Sequence, residues 1–432
     1  MDFAVAPGGI LNGRLRVPGD KSISHRAVML GSLADGVTEV TGLLEGEDVL
    51  CTLAAFRAMG VQATGPDRGR LTIRGVGLHG LRAPSQPLDM GNSGTAMRLM
   101  TGILAGQRFD STLVGDESLS KRPMKRVSEP LGLMGAHIGT AEGGRPPLTI
   151  KSQPPLHGIH YTMPMASAQV KSSLLLAGLY ADGETVVTEP APTRDHTERM
   201  LRGFGYDVGV DGAQVRIRGG GRLMACGIDV PADISSATFF LVGAAISPGS
   251  DLVLEHVGIN PTRIGVLNIL KLMGADLTIE NPREVGGEPV ADLRIRASRL
   301  TGIRIPGDQV PLAIDEFPAL FIAAACAEGE TVLTGAHELR VKESDRIATM
   351  ARGLTRLGID ARETPDGIVI QGGRLKGGDI DSHGDHRIAM AFAIAALRAA
   401  GPVTVRDCKN VATSFPDFVE LAKRAGLTVD VV

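Results

Sequence analysis

Aromatic residues and net charge are both scarce in this sequence. Its 432 residues include no tryptophan and three tyrosines, and the formal net charge is −3. Proteins that bind single-stranded nucleic acid combine a basic groove with aromatic side chains on which bases stack. Proteins that bind anionic membranes carry clustered positive charge. The composition therefore argues against nucleic acid and against a membrane as partners, and any basic site must be local.

Cysteine is also rare, and its placement excludes the usual cysteine sites. The four cysteines are scattered without a C-x-x-C pair, which argues against disulfides and zinc and suits a reducing compartment. They are Cys51, Cys226, Cys326 and Cys408. His383 and His386 could bind a metal ion, but no second ligand cluster stands at a recognised spacing. We therefore expect no metal ion.

Long hydrophobic runs and a targeting segment are missing as well. The most apolar stretches, such as residues 317–327, are too short to cross a bilayer, and the first residues lack a basic region followed by an apolar run. Residues 75–80 match G-x-G-x-x-G, but Pro84 follows where a nucleotide-binding helix would start. We therefore expect a cytoplasmic protein without a dinucleotide or other cofactor.

What the sequence does contain is a sixfold repeat. Each repeat has a polar start, an apolar helix, a glycine turn and a strand rich in valine and threonine. The repeats begin near residues 22, 93, 167, 233, 315 and 385. A more amphipathic helix and a strand or strand pair follow each one, so the period is roughly 65–80 residues. The first helix of each repeat is apolar nearly all round, which predicts burial, whereas the second carries charges on one face and should lie outside.

Six such units predict a mixed α/β (α+β) fold in two domains of three units each. Gly227 and Pro231 interrupt the pattern between the third and fourth units, which indicates a crossover near residues 226–232. We predict an N-terminal domain of residues 20–230 and a discontinuous C-terminal domain of residues 1–19 plus 231–432. Each domain would be an inside-out α/β barrel, with buried parallel helices whose N-termini face the cleft between the domains.

The starts of the predicted buried helices carry the residues that could bind anions. A helix N-terminus offers free backbone N–H groups and a positive dipole end. The relevant residues are Lys21, Ser22 and Arg26; 91–95 and Arg98; 167–169 and Lys171; Asp315 and Glu316; and 385–387.

Further basic clusters stand in residues 118–126, 193–196 and 340–346. One such cluster is more often an ordinary solvated surface. Several together predict substrates with phosphate or carboxylate groups in more than one place, which the planar fork of arginine binds through two hydrogen bonds.

These motifs resemble those of the EPSP synthase (3-phosphoshikimate 1-carboxyvinyltransferase) family. The resemblance runs from about residue 8 to the C-terminus and keeps the order and spacing of the motifs. The matching segments are residues 18–26, 91–98, 121–123, 342–346 and 385–387. The family is similar in architecture too, with two domains of three repeated units and a discontinuous C-terminal domain that takes in the first strand.

The resemblance implies a specific reaction between two anionic substrates. The enolpyruvyl group of phosphoenolpyruvate is transferred to the 5-hydroxyl of shikimate 3-phosphate, and phosphate is released. By resemblance, Asp315 is the base for the hydroxyl, Glu343 protonates the methylene carbon, and Lys21 touches both substrates. The assignment of Asp315 and Glu343 stays open to exchange, and Lys21 is a second candidate for the proton donor. We expect a monomer.

The resemblance also implies two sets of binding residues. Shikimate 3-phosphate is expected on Lys21, Ser22, Arg26, Ser167, Ala168, Gln169, Arg194, Asp315 and Lys342. Phosphoenolpyruvate is expected on Lys21, Asn92, Gly94, Arg122, Gln169, Arg346 and Arg387.

The sequence departs from the family pattern in two places. Many members carry a lysine where Ser414 stands here, so one cation to phosphoenolpyruvate is missing or replaced, with Lys409 as a candidate. Residues 165–171 and 193–196 look like the subgroup known for tolerance of glyphosate, yet that subgroup usually has alanine in place of Gly94. We expect glyphosate still to compete with phosphoenolpyruvate.

Two rival functions remain. UDP-N-acetylglucosamine enolpyruvyl transferase shares the fold and the donor, but should show a Lys-Asn pair in place of Lys21 and Ser22, and a reactive cysteine that residues 118–126 lack. A non-catalytic protein that binds phosphorylated metabolites would keep the cations but need neither Asp315 nor Glu343.

Overall fold

The chain forms two compact units in a computed structural model that describes residues 1–152 and 155–432. One unit, here the inserted unit, is Lys21–Val230, and the other, here the split unit, is Met1–Asp20 together with Pro231–Val432. Each unit has its own apolar core. The two units are described separately.

The inserted unit has three inner helices that begin the first three repeats. They are α1 (Lys21–Leu33), α3 (Gly94–Ala105) and α6 (Ala168–Gly178). Every residue of α1 from Ile23 to Leu33 is buried, and in α3 only Thr95 is not. Apolar residues lie on most sides of these helices, which explains their burial, and the polar side chains among them, such as Arg26 and Lys171, are buried as well. The other helices are α2 (Glu47–Ala58), α4 (Glu117–Ser120), α5 (Lys125–Leu133) and α7 (His196–Gly203).

Three four-stranded sheets cover the inner helices of the inserted unit. In order across the first sheet, the strands are β14 (Gly227–Asp229), β3 (Val37–Thr41), β5 (Arg70–Arg74) and β4 (Gln62–Asp67). The second sheet has β6 (Leu88–Asp89), β7 (Ser111–Val114), β9 (Arg145–Lys151) and β8 (His137–Ala141). The third sheet has β10 (His160–Thr162), β11 (Glu184–Thr188), β13 (Gln214–Arg218) and β12 (Val208–Asp211). In β9 alternate residues are buried, as expected of a strand with one face on a core.

The split unit repeats this arrangement with α8 (Ile234–Ile246), α10 (Phe317–Cys326) and α12 (His386–Ala395) as inner helices, which pack against one another. All of α8 is buried. The outer helices are α9 (Gly265–Leu272), α11 (Arg346–Arg356) and α13 (Phe418–Ala425). Short 3-10 turns lie at Gly307–Gln309, His337–Val341, Ala396–Arg398 and Lys409–Thr413.

The strands of the split unit also form three sheets. In order across the first sheet, the strands are β21 (Gly378–Asp381), β22 (Val403–Arg406), β1 (Phe3–Val5) and β23 (Val429–Val431). The second sheet has β16 (Asp276–Val285), β17 (Glu288–Arg296), β15 (Asp251–Gly258) and β2 (Asn12–Leu15). The third sheet has three strands, β18 (Glu330–Leu333), β20 (Gly367–Gln371) and β19 (Asp360–Thr364). In the four-stranded sheets of both units, one edge strand pairs in parallel and the other pairs are antiparallel. This shared topology is the structural form of the sequence repeat.

The predicted mixed α/β class is confirmed by these elements. The first strands of the chain belong to the split unit, since β1 pairs with β22 and β23, and β2 pairs with β15. Within residues 1–152 and 155–432, no helix combines the length and the hydropathy needed to cross a membrane.

Candidate active site

Lys21 is the first residue of α1 and lies beside the start of α2. Its Nζ is 2.7 Å from Oδ2 of Asp48, and the two side chains are 18% and 5% exposed. Asp48 was not singled out from the sequence, although an acidic residue in the first turn of a helix is a common signal. The ion pair with Asp48 fixes the ammonium group of Lys21 at the start of α1.

Arg26 lies one turn further along α1 and is buried. Its Nε donates to Oγ1 of Thr197 at 2.7 Å, its Nη2 to Oγ of Ser172 at 2.8 Å, and its Nη1 to the carbonyl of Ser22 at 2.9 Å. The hydroxyl of Thr197 in turn donates to that of Ser172 at 2.7 Å. These contacts join α1, α6 and α7. Thr197 and Ser172 were missed by sequence reasoning, although a serine in an apolar buried helix is a detectable signal.

His25 connects the first helix to the second inner helix. Its Nδ1 is 2.8 Å from Oγ1 of Thr52, and its Nε2 is 3.3 Å from Oγ of Ser93. The Ser93 hydroxyl also caps α3 by accepting from the N–H of Ala96 at 3.1 Å. The start of α3 is thereby tied to α1.

The start of α3 brings together three of the residues expected to bind phosphoenolpyruvate. Nη2 of Arg122 donates to Oδ1 of Asn92 at 2.8 Å, and Nδ2 of Asn92 donates to Asp116 at 2.7 Å. A methyl group on Gly94 would lie 3.0 Å from Nη1 of Arg98 and 3.3 Å from Nη1 of Arg122. The absence of a side chain at this position therefore leaves space beside two guanidinium groups.

The start of α6 completes this cluster. Oε1 of Gln169 accepts from Nη1 of Arg98 at 2.5 Å, and its Nε2 donates to Oγ1 of Thr95 at 2.9 Å. Ser167 caps the helix by accepting from the N–H of Val170 at 3.4 Å, and Ala168 is the first helical residue. Hydrogen bonds therefore link the starts of all three inner helices of the inserted unit.

Lys171 has a different role from the one its position suggested. Its Nζ lies 2.7 Å from Glu189 and 2.7 Å from Glu198, and it is 1% exposed. This lysine is neutralised by two carboxylates rather than presented to a ligand. Glu189 also accepts from the hydroxyl of Thr193. Arg194, half-buried, follows in the same loop between β11 and α7.

The split unit holds the two carboxylates expected to be catalytic. Oδ1 of Asp315 is 3.4 Å from Nζ of Lys342 and 3.5 Å from Nη1 of Arg346, and the Asp315 carbonyl accepts from Nη1 of Arg387 at 3.1 Å. Oε2 of Glu343 accepts from Nη2 of Arg346 at 2.6 Å. The structure therefore brings together all five residues predicted in this unit.

Arg346 is the central cation of this group. It is 1% exposed, and it pairs with the fully buried carboxylate of Asp385. Burial, the largest effect, lowers the pKa of Arg346, but Asp385, Glu343 and Asp315 together raise it well above its usual value. The guanidinium therefore stays charged beside both candidate catalytic carboxylates.

The two clusters have the chemistry expected of sites for phosphorylated carboxylates. The inserted unit supplies Lys21, Arg26 and Arg98 in the first two turns of inner helices and Arg122 between α4 and α5, which suits anion binding. The split unit supplies two carboxylates next to cations, which suits proton transfer in a charged intermediate. Ser414 is buried, whereas the candidate replacement cation Lys409 is exposed at the start of the turn Lys409–Thr413.

Comparison with known proteins identifies the family. The sequence model of EPSP synthase (3-phosphoshikimate 1-carboxyvinyltransferase) matches residues 5–421. The chain belongs to the EPSP synthase family. It is 70% identical over 429 residues to 3-phosphoshikimate 1-carboxyvinyltransferase of Methylococcus capsulatus, with 99% of this chain and 98% of the relative covered. It is 67% identical to the enzyme of the same name from Alkalilimnicola ehrlichii, with 99% and 96% covered.

Solved structures of EPSP synthase agree in fold. One from Acinetobacter baumannii superposes with a TM-score of 0.90 at 62% identity and covers 100% of this chain and 99% of its own. A second structure of EPSP synthase from this organism has the same TM-score at 60% identity, with 100% of both chains covered.

Proposed function

We propose that this protein is the shikimate-pathway enzyme that its family name describes. It transfers the enolpyruvyl group of phosphoenolpyruvate to the 5-hydroxyl of shikimate 3-phosphate by addition and elimination, giving 5-enolpyruvylshikimate 3-phosphate and phosphate. The observation that carries the proposal is the family match over residues 5–421 together with full-length identities of up to 70% among the relatives named above.

The inserted unit supports the binding part of the proposal. Arg26 and Ser22, with Ser167, Ala168 and Arg194, serve shikimate 3-phosphate. Arg122, Asn92 and Gly94 serve phosphoenolpyruvate, and Lys21 and Gln169 serve both. Support comes from the hydrogen bonds that fix Arg26 on hydroxyl groups and Arg122 on Asn92. Guanidinium groups fixed in this way bind phosphate without further loss of side-chain freedom.

The split unit supports the catalytic part. Asp315 accepts the proton of the 5-hydroxyl, and Glu343 delivers a proton to the methylene carbon of phosphoenolpyruvate. Two cations lie beside the Asp315 carboxylate, Lys342 at 3.4 Å and Arg346 at 3.5 Å. Lys342 also serves shikimate 3-phosphate, and Arg346 and Arg387 serve phosphoenolpyruvate. The cations hold the charge of the tetrahedral intermediate.

We extend the proposal to the architecture and its setting. The two units are the two predicted domains, and each is an inside-out α/β barrel. The burial of α1, α3 and α6 in one unit, and of α8, α10 and α12 in the other, supports this reading. We propose a cytoplasmic monomer of mixed glyphosate subgroup, whose inhibition by glyphosate depends on Gly94.

The test is a phosphate-release assay with phosphoenolpyruvate and one of two acceptors. We expect release with shikimate 3-phosphate and none with UDP-N-acetylglucosamine. Asp315→Ala should lower kcat by at least a thousandfold. Asp308→Ala should not, because Asp308 lies exposed in the same loop and bonds only to Gln309 among the contacts described.

Each rival function gives a different result in this assay. Release with UDP-N-acetylglucosamine alone would overturn the choice of acceptor. Binding of shikimate 3-phosphate without any release would point to the non-catalytic reading.

A further inference from the structure

A buried ionic cluster lies in the split unit, next to the candidate catalytic carboxylates but outside the residues assigned to them. Its centre is Arg263, which is 4% exposed. Nη1 of Arg263 is 3.0 Å from Oδ2 of Asp20, and Nη2 is 3.3 Å from Oδ1 of Asp233. Nη2 also donates to Oγ of Ser235 at 2.7 Å and lies 3.6 Å from Oε1 of Glu316.

Two of these partners stand where the chain leaves and re-enters the split unit. Asp20 is the last residue of the first segment, and Asp233 is the third residue of the second segment. The two segments also pair through their backbones. The N–H of Asp20 donates to the carbonyl of Pro231 at 2.8 Å, and the N–H of Asp233 donates to that of Pro18 at 2.9 Å. The side chain of Arg263 therefore binds both chain segments at the crossover, one through Asp20 and the other through Asp233.

The third carboxylate connects the cluster to the candidate base. Glu316 directly follows Asp315 and stands at the N-cap of α10, and its side chain accepts from the hydroxyl of Ser235. A second contact fixes the same loop. Gly265, two residues after Arg263, donates to the carbonyl of Leu312 at 3.2 Å, and a methyl group on it would lie 2.7 Å from the Leu312 carbonyl carbon. The backbone before Asp315 is thus held on two sides.

The charges of the cluster make Arg263 hard to replace. Burial, the largest effect, lowers the pKa of Arg263, but Asp20, Asp233 and Glu316 raise it well above its usual value. The pKa of Asp233 is raised above its usual value, because burial and the charge of Asp20 outweigh the lowering by Arg263 and Arg387. Arg263 contacts all three buried carboxylates, and a buried charge left without its partner is strongly unfavourable.

We propose that Arg263 is a positioning residue for the transfer reaction: by binding Asp20, Asp233 and Glu316 together, it fixes the backbone at Asp315 relative to the crossover. Arg263 makes its described hydrogen bonds and ion pairs with Asp20, Asp233, Ser235 and Glu316, and the nearby charge of Asp315 also raises the pKa of the guanidinium. It acts through Glu316 and through the segment that begins α9. Its catalytic consequence rests on the proposed function, whereas its effect on the loop does not.

The experiment compares Arg263→Lys and Arg263→Met with Arg294→Met. The control removes a two-point pair of the same unit, because Arg294 donates to Asp251 at 2.8 and 2.7 Å on a sheet without candidate catalytic residues. The first readout is hydrogen exchange of the backbone amides of residues 310–320, followed by mass spectrometry. We expect exchange to be at least fivefold faster than in the wild type in both Arg263 variants. In the Arg294→Met control, the exchange rate should be the same as in the wild type.

The second readout is the separation of kcat from KM. Because a misplacement of about 1 Å costs on the order of a hundredfold in rate, we expect kcat to fall about a hundredfold in Arg263→Met and at least tenfold in Arg263→Lys. The KM values should change less than threefold. If Arg263→Met does not fold, Arg263→Lys decides, since it keeps the charge and loses only the planar fork.

The two readouts separate the inference from the proposed function. Arg263→Lys with wild-type exchange in residues 310–320, or with wild-type kcat, would overturn the inference while the function stands. A wild-type enzyme without phosphate release would overturn the function, and the exchange data would still decide whether Arg263 fixes the loop.

Discussion

Arg346 and Asp385 form a two-point pair inside the split unit. Nε donates to Oδ2 at 2.8 Å and Nη2 to Oδ1 at 3.2 Å, and neither side chain is more than 1% exposed. Oδ1 of Asp385 also caps α12 by accepting from the N–H of Arg387 at 3.0 Å. One carboxylate therefore sets the position of Arg346 at the start of α11 and of Arg387 at the start of α12.

Replacing Asp385 tests whether this carboxylate positions the cations expected to bind phosphoenolpyruvate. Asp385→Asn keeps the size of the side chain and one acceptor for the cap, but loses charge-assisted bonds worth about 1.5–3 kcal/mol each. We expect KM for phosphoenolpyruvate to rise roughly tenfold to a hundredfold. Asp381→Asn is the control, because Asp381 is exposed and bonds to the N–H of His383 at 2.7 Å. Steady-state kinetics in which both variants behave alike would contradict the prediction.

Removing the hydroxyl of Thr197 tests whether its hydrogen bond to Arg26 positions the guanidinium for substrate binding. Thr197→Val takes away the acceptor that lies 2.7 Å from Nε of Arg26 and leaves a buried donor unsatisfied. The cost of about 1–3 kcal/mol should appear as a KM for shikimate 3-phosphate raised about tenfold, with kcat changed little.

Thr185→Val is the matched control for this substitution. Thr185 is buried in β11, and its hydroxyl has no hydrogen-bond partner among the described residues. The valine should therefore be tolerated there without a change in KM. An unchanged KM in Thr197→Val, or an equal rise in both variants, would show that the hydroxyl does not support substrate binding.

The sequence predicted local structure better than it predicted the partners of buried charges. Apolar periodicity and glycine turns located the inner helices, because these depend on neighbouring residues. Arg263 stands just before α9, one of the amphipathic helices expected to lie outside, yet it is buried against Asp20, which is 243 positions away along the chain. Lys171 was grouped with ligand cations, yet Glu198 neutralises it. Pairings over such separations are set by the tertiary fold.

We expect slow alkylation of Cys51, Cys326 and Cys408 in the folded protein. Burial, aided by Asp89, raises the pKa of Cys51 to about 11, and burial raises the pKa of Cys326 and of Cys408 to about 12. The reactive species is the thiolate. At pH 8, a thiol with a pKa of about 11, such as Cys51, is about 0.1% thiolate. Since protons must leave before alkylation, the rate should rise about tenfold per pH unit between pH 7 and 10.

Mass spectrometry after treatment with iodoacetamide measures this reaction directly. The folded enzyme should keep its activity at pH 7, and the urea-unfolded chain, whose thiols have ordinary pKa values, should react much faster. Rapid modification of one thiol at pH 7 with loss of activity would instead favour the rival mechanism that uses a cysteine.

Gly94 predicts the response to glyphosate. In Gly94→Ala the new methyl would lie 3.0 Å from Nη1 of Arg98 and 3.3 Å from Nη1 of Arg122, in the space that we propose the inhibitor uses. We expect the inhibition constant for glyphosate to rise more than tenfold and KM for phosphoenolpyruvate to rise less. Gly132→Ala, where a methyl meets nothing within 4 Å, should leave both unchanged. Equal inhibition constants for wild type and Gly94→Ala would refute the steric argument.

The last prediction concerns the stability of the inserted unit. Lys171→Met removes the cation that lies 2.7 Å from both Glu189 and Glu198, and leaves these carboxylates facing each other in a buried site. Removing one partner of a buried ion pair costs about 3–5 kcal/mol of unfolding free energy. Lys121→Met removes the exposed pair with Glu117, which is 2.6 Å long, and should not measurably change the thermal midpoint.

Calorimetry of the two lysine variants distinguishes a structural ion pair from a ligand site. If Lys171 only supports the fold, shikimate 3-phosphate should raise the thermal midpoint of Lys171→Met by about as much as it raises that of the wild type. The reason is that a ligand stabilises by RT ln(1 + [L]/Kd), which is the same for proteins with the same Kd. If the lysine binds the substrate, the midpoint of the variant should respond less. A midpoint equal to that of Lys121→Met without ligand would show that the buried carboxylates do not depend on Lys171, because water or other cations then compensate them.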